Sequence, residues 1–430
     1  MNIFIETYGC STNIHESEII AGLLQKAGYD IVINIDNSDI IIINSCIVKS
    51  VTEQKLLFRL EEITKNYPGK KIIIAGCAPE TIREKLYGVN PHISLISTNQ
   101  IKKIPQSIKK IIDGKEIELL GGSNDIKLCL PILRKNPIIG IVPISSGCVG
   151  ECTYCETRLA KGKLLSYPKN KILEEISNSI GSGCKEIWLT AQDVGAYELD
   201  KYDESHLPDL LDKISNLPGK FSVRVGMINP NNIKPILNDL VSAFNNKKIY
   251  KFVHIPIQSG DNDILENMNR GYTIEDFEEI IAAFRDAFRC TIWTDIIVGY
   301  PGETEEQFRN TLELIKRLKP DYVNISRFAK RDNTVASKLQ QLDTKEMKRR
   351  TATLTSLVNN ISFKKNMEWL KWNGDILITE PGKKPGQWIG RNFAYKPVVI
   401  NKSGKLLGKI VKVRIDDATP TTLIGWPMKE

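Results

Sequence analysis

Three cysteines within eight residues, Cys148, Cys152 and Cys155, constrain this chain more than any other stretch. The segment Gly147-Cys148-Val149-Gly150-Glu151-Cys152-Thr153-Tyr154-Cys155 has the spacing C-x₃-C-x₂-C. The surrounding fold must present three thiolates to one point from one short loop. Three thiolates can hold three irons of a cubane [4Fe-4S] cluster, and no fourth cysteine follows nearby. The fourth iron then has no local protein ligand and is open to chemistry. Zinc is the rival occupant, with a distant fourth ligand completing a tetrahedron, but a second C-x₂-C pair, the usual zinc partner, does not appear. Nine cysteines in 430 residues are too few for a disulfide scaffold. We expect no signal peptide and no membrane span, hence reduced thiols in the cytoplasm.

Residues 1–115 alternate between strand and helix patterns. Strands are predicted over 2–6, 39–44, 71–75 and 92–96, and helices over 16–27, 52–66 and 101–113. Continuous isoleucine runs indicate strands covered on both faces, and therefore an open parallel α/β sheet. Cys10, Cys46 and Cys77 each follow one of these strands. They should share one rim of the sheet, where such folds bind ligands. Gly9, Ser45 and Gly76 beside them permit close backbone approach. Inert buried cysteines are the plainer reading of each one; three at the same topological position favour a second metal site.

A linker over 116–136, with a structural Cys129, leads to about six β/α units over 137–363. That repeat predicts a partial TIM-like (β/α)6 barrel with the cluster loop after its first strand, at the end where such barrels work. Polar or small residues at other strand ends are candidates for the same cavity: Gln192, Asp193, Arg224, His254, Gln258, Asp295, Gly299 and Gly302. Lys161 and Lys163 are candidates to meet a substrate phosphate. Cys184 and Cys290 read as packing residues.

Charge separates the last segment from the rest. Residues 364–430 hold 13 Lys+Arg against 6 Asp+Glu, whereas the whole chain has a net charge of only +8. A basic module points to a polyanion such as nucleic acid. Five short strands there suit a small OB-like β-barrel. Trp388, Phe393 and Tyr395 lie among Lys383, Lys384, Arg391 and Lys396, where rings can stack on bases; a ring buried in the barrel core is the competing reading.

The C-x₃-C-x₂-C motif with Tyr154 before its last cysteine resembles that of the radical S-adenosylmethionine (SAM) enzymes. The resemblance implies that SAM chelates the open iron and that one electron releases a 5′-deoxyadenosyl radical, with Tyr154, Gln192, Asp193, Arg224, Asp295 and Gly299 as candidate SAM contacts. Thr7-Tyr8-Gly9-Cys10, Asn13, Ser17-Glu18, Asn44-Ser45-Cys46-Ile47-Val48 and Ala75-Gly76-Cys77-Ala78 resemble the amino-terminal domain of methylthiotransferases. So do His254-Ile255-Pro256-Ile257-Gln258-Ser259-Gly260, Met268-Asn269-Arg270-Gly271-Tyr272 and the run from Thr294 to Thr304. The loop after the cluster, with Asp193-Val194-Gly195-Ala196-Tyr197 and Gly226-Met227-Ile228-Asn229-Pro230, is similar to the archaeal and eukaryotic branch, from which Lys161 and Glu198 depart. The last segment resembles a TRAM domain. The resemblance implies a second [4Fe-4S] cluster on Cys10, Cys46 and Cys77 that handles sulfur. It also implies 2-methylthio insertion into N6-threonylcarbamoyladenosine at position 37 of a tRNA anticodon stem-loop, served by an electron donor and a sulfur source. A different tRNA adenosine, a ribosomal protein side chain, or a non-enzymatic RNA-binding role are the alternatives.

Overall fold

The computed structural model describes residues 1–47, 50–122 and 125–428, so Val48 of the Asn44–Val48 motif lies outside the described residues. The first unit is a six-stranded sheet in the order β2-β1-β3-β4-β5-β6, every pair parallel. Its strands are β1 (Asn2–Tyr8), β2 (Asp30–Val32), β3 (Ile40–Ser45), β4 (Lys71–Gly76), β5 (Ser94–Ser97) and β6 (Glu118–Leu119). The isoleucines of β3 and β4 divide by parity. Ile41, Ile43, Ile72 and Ile74 face one buried cluster, and Ile40, Ile42 and Ile73 face the other. Period-two alternation with both faces covered explains why the stretches Ile40–Ile43 and Ile72–Ala75 carry no polar positions.

The second unit begins with β7 (Ile139–Pro143) and a small hairpin of β8 (Ser145–Ser146) and β9 (Leu165–Ser166). Then come β10 (Glu186–Thr190), β11 (Ser222–Arg224), β12 (Phe252–His254), β13 (Thr291–Val298) and β14 (Tyr322–Arg327). They form two parallel three-stranded sheets, β7-β10-β11 and β12-β13-β14. Parallel bridges at Val223–Ile249 and Met227–His254 join the sheets into one six-stranded arc. The outer faces bury Ile187, Leu189, Val223, Ile292, Ile296 and Val323 against the surrounding helices. The inner faces carry Trp188, Arg224, His254, Trp293, Asp295 and Asn324, all partly open. This inversion, apolar outside and polar inside, makes the arc a chamber.

The third unit is a closed barrel in the order β15-β16-β17-β19-β18. Its strands are β15 (Asn373–Pro381), β16 (Gln387–Arg391), β17 (Pro397–Asn401), β18 (Ile410–Ala418) and β19 (Leu423–Pro427). Helix Thr344–Met367 leads into it without interruption, so the expected boundary at 363/364 falls inside one helix.

The barrel seals the amino-terminal ends of the arc's strands. The Tyr395 hydroxyl donates to Glu186 at 3.1 Å, and that carboxylate also accepts from Tyr250 at 2.9 Å. Lys396 pairs with Asp321 at 2.8 Å, and Lys251 N donates to the Phe393 carbonyl at 2.8 Å. Tyr395 and Lys396 are therefore buried joints, not the base-stacking ring and phosphate-holding cation expected from sequence. The exposed rings on this barrel are Trp426, at 62%, and Phe393, at 43%, while Trp388 is half-buried.

Candidate active site

Cys148, Cys152 and Cys155 lie on a loop past the carboxyl ends of β7 and β8. Its backbone is anchored from both sides. Cys148 N donates to the Gly162 carbonyl at 3.2 Å, Thr153 N to Met268 O at 3.2 Å, and Asn269 Nδ2 to Glu151 O at 2.9 Å. Gly147 has φ 79°, and a Cβ there would sit 2.0 Å from the Lys163 carbonyl, so only glycine fits. The missing side chain of Gly150 points between the sulfurs of Cys148 and Cys152, 3.5 and 3.7 Å from where its Cβ would be. Burial pushes the Cys148 thiol up to about 11 and raises that of Cys155 as well. Metal binding must therefore displace protons here.

Arg270 is a residue of this site that sequence reasoning quoted in a motif without giving it a role. Its Nη1 donates to the Cys152 sulfur at 3.1 Å, its Nη2 to Asn229 Oδ1 at 3.1 Å and its Nε to the Tyr272 hydroxyl at 3.0 Å. The Tyr154 hydroxyl lies 3.5 Å from the same Nη1. The planar fork is held on three sides, and the charge is aimed at a cluster ligand.

The second triad forms at the ends of three adjacent strands, β1, β3 and β4. Cys46 N donates to Tyr8 O at 2.8 Å and Cys77 N to Ser45 O at 3.0 Å, so the cysteines continue the sheet's own ladder. The Cys46 thiol interacts with both Cys10 and Cys77. This sharing holds Cys10 down at about 6 and lowers Cys77, while Cys46 itself is raised. Gly9, at φ 139°, faces the Cys46 Cβ, which a Cβ of its own would meet at 2.4 Å. Cys46 and Cys77 are buried and Cys10 is exposed, so the triad opens outward on one side. Among the described residues no group of three or more His, Cys, Asp or Glu is arranged to hold a single metal ion. A cubane asks for a different geometry, because each thiolate takes its own iron. Two glycine-flanked thiol triads fit that demand.

The other candidates divide by placement. Asp295 lies in the chamber, accepting from His254 Nε2 at 2.6 Å and from Asn324 Nδ2 at 2.6 Å. Gln192 Oε1 is buried there without a hydrogen-bond partner. Tyr154 packs beside Met268 and Tyr300, with its hydroxyl toward Arg270. Asp193 is engaged by its own turn and by the segment after β11, accepting from Gly195 N at 2.9 Å, Asn229 N at 3.1 Å and Asn232 Nδ2 at 2.6 Å. Arg224 sits low in the chamber with Trp188, Phe252 and Tyr395 around its guanidinium at 5.3–5.6 Å. Gly299 is covered by Met347, whose Cγ a Cβ would meet at 2.5 Å, so its small size serves helix packing. Lys161 is only 3% exposed and is bonded to Glu16 and Thr98, which removes it from any contact with substrate phosphate.

Comparison with known proteins agrees with this layout. Residues 2–98 match the model of "Uncharacterized protein family UPF0004", residues 142–315 that of the radical SAM superfamily and residues 375–426 that of the TRAM domain. A probable threonylcarbamoyladenosine tRNA methylthiotransferase of Methanothermobacter thermautotrophicus is 39% identical over 426 residues, 99% of each chain. One of Pyrococcus abyssi is 40% identical over all of both chains. A threonylcarbamoyladenosine tRNA methylthiotransferase of Xenopus laevis is 34% identical over all of this chain and 77% of its own. Among solved structures, the radical SAM methyltransferase TsrM of Kitasatospora setae, with cobalamin and a [4Fe-4S] cluster bound, superposes with a TM-score of 0.57. That match has 12% identity over 78% of this chain and 77% of TsrM, a likeness of fold. With full-length identity at this level and all three domains in order, the chain belongs to the threonylcarbamoyladenosine tRNA methylthiotransferases, a family of radical SAM enzymes.

Proposed function

We propose that this chain inserts a methylthio group at C2 of N6-threonylcarbamoyladenosine, next to the anticodon at position 37 of tRNA. On this reading it uses two [4Fe-4S] clusters, on Cys148, Cys152 and Cys155 and on Cys10, Cys46 and Cys77. The observation that carries the reading is that neighbours of the two triads are tied to each other. Arg331 donates to the carbonyl of Ile47, beside Cys46, at 2.6 Å, and its Nε lies 3.8 Å from Glu156, beside Cys155. Ser11 Oγ, beside Cys10, pairs with Thr190 Oγ1 at the end of β10 at 2.7 Å. Two thiol triads on facing rims suit a reaction in which a radical made at one site acts on a base that receives sulfur from the other.

Bound SAM and its cluster supply the electron chemistry for sulfonium cleavage. The chain's part is to position and to seal. The Arg270 fork fixes the Cys152 sulfur, and the chamber walls exclude water. The His254–Asp295–Asn324 chain offers fixed polar atoms to a base splayed out of a single-stranded loop. The basic carboxyl-terminal barrel holds RNA phosphates. An external reductant and a sulfur donor complete the reaction, in the cytoplasm; no helix of the described residues is long and apolar enough to cross a membrane.

The test is nucleoside analysis of tRNA from a strain lacking this chain. The 2-methylthio form of the threonylcarbamoyl nucleoside should vanish and return with the wild-type gene; its persistence at wild-type level would refute the assignment. A finer outcome concerns Arg270. A donor on a ligand sulfur favours the reduced, more negative cluster. Arg270→Ala should leave iron content intact, lower the cluster's reduction potential in a redox titration, and slow 5′-deoxyadenosine formation about 10- to 100-fold, as loss of a group supporting a metal ligand typically does.

A further inference from the structure

We propose that Lys161, seconded by Lys127, is an anion-balancing site for hydrosulfide bound beside Cys10, Cys46 and Cys77. The inference rests on the reading that these cysteines hold a cluster with an open iron. Lys161, Lys127 and Glu16 are 3%, 4% and 0% exposed. Both ammoniums converge on the same oxygen, Glu16 Oε1, each at 2.7 Å. Both also donate to Thr98 Oγ1, at 2.7 and 2.8 Å, and Thr98 donates to Glu16. Among the described residues Glu16 is the one carboxylate paired with either lysine. With both lysines charged, two cations face one anion, and burial pulls Lys127 below its ordinary value unless a further anion lies close. A single Lys–Glu pair would satisfy Glu16. An unmatched buried ammonium is strongly unfavourable unless an opposite charge lies close.

The opposite charge belongs at the triad. Glu16 stands on helix Ser11–Lys26, which starts at Cys10. Thr98 follows β5, whose neighbour β4 ends at Gly76, directly before Cys77. Ala160, next to Lys161, is buried in one cluster with Cys77 and Ala78. Tyr167 and His15 are the other titratable groups packed around these charges. A cubane on three thiolates is already anionic, and hydrosulfide on its open iron adds buried negative charge. Lys161 reaches this place from the end of helix Thr157–Lys161, which begins two residues after Cys155, so one short helix spans both sites.

The experiment titrates sodium sulfide into reconstituted protein, with SAM present to occupy the other open iron. Binding is followed by electron paramagnetic resonance and visible absorbance, with iron counted per chain. Lys161→Gln keeps a polar side chain beside Glu16 and Thr98 but removes the charge, and should weaken apparent hydrosulfide affinity by at least ~10-fold. Lys161→Arg keeps the charge and should stay within about threefold of wild type. Glu16→Gln raises the excess charge and should tighten binding. Opposite signs for Lys161→Gln and Glu16→Gln separate charge balance from scaffolding. Unchanged affinity in Lys161→Gln at full iron, weakening in both variants, or loss of the amino-terminal irons from both would overturn the inference. If Cys10→Ala leaves wild-type iron unchanged, the second-cluster reading itself fails, whatever the lysines do.

Discussion

Cys152→Ala is expected to remove about half the iron from reconstituted protein and to bring 5′-deoxyadenosine release down to background. Cys152 is one of three ligands on a single loop, and two thiolates do not hold a cubane with its fourth corner open. The fold should survive the change. Arg270 loses one partner but keeps Asn229 and Tyr272, and the loop backbone is anchored by Met268, Gly162 and Asn269, not by this thiol. The measurements are iron per chain and chromatographic quantitation of 5′-deoxyadenosine after reduction with dithionite. Release within tenfold of wild type would disprove the assignment of this loop as the radical source.

Cys10→Ala should produce the opposite dissociation. It too should lose about half the iron, yet 5′-deoxyadenosine release should persist within a few-fold while methylthio product on tRNA becomes undetectable. Substitution here is structurally mild. Cys10 is exposed, and as the residue before helix Ser11–Lys26 its side chain makes no cap bond, so the helix loses little. What disappears is one member of the thiol set centred on Cys46. Product formed at the wild-type rate by Cys10→Ala would leave one cluster sufficient and remove the sulfur-handling role from this rim. The two variants fail at different steps only if the two triads have different tasks.

The parts of this layout that sequence made legible are those whose signal is local. β3 and β4 announce themselves because burial on both faces leaves nothing but isoleucine, and a cysteine directly after each strand inherits its place on the rim. Helix Glu305–Leu318 also carries a local signal, the Thr304–Gln307 capping box that opens it. Other features are fixed by distant partners. Helix Ser11–Lys26 starts five residues before the range 16–27 expected from sequence, because Cys10 occupies the cap position without capping. The helices Ala78–Thr81 and Arg83–Val89 are too short to show a period. Lys161 looks like any loop lysine until Glu16, 145 residues away, is found against it. Tyr395 looks like a base-stacking ring until Glu186, 209 residues away, takes its hydroxyl.

That last contact has a consequence for how tRNA is measured. Glu186 and Asp321, which Tyr395 and Lys396 grip, stand at the starts of β10 and β14, whereas the cysteine rims lie at strand ends. On the proposed function, RNA held by the carboxyl-terminal barrel would be gripped at the strand starts and modified at the strand ends. A span fixed by that buried joint would then act as a caliper, admitting to the chamber only a nucleotide at a set distance along the RNA from the gripped segment.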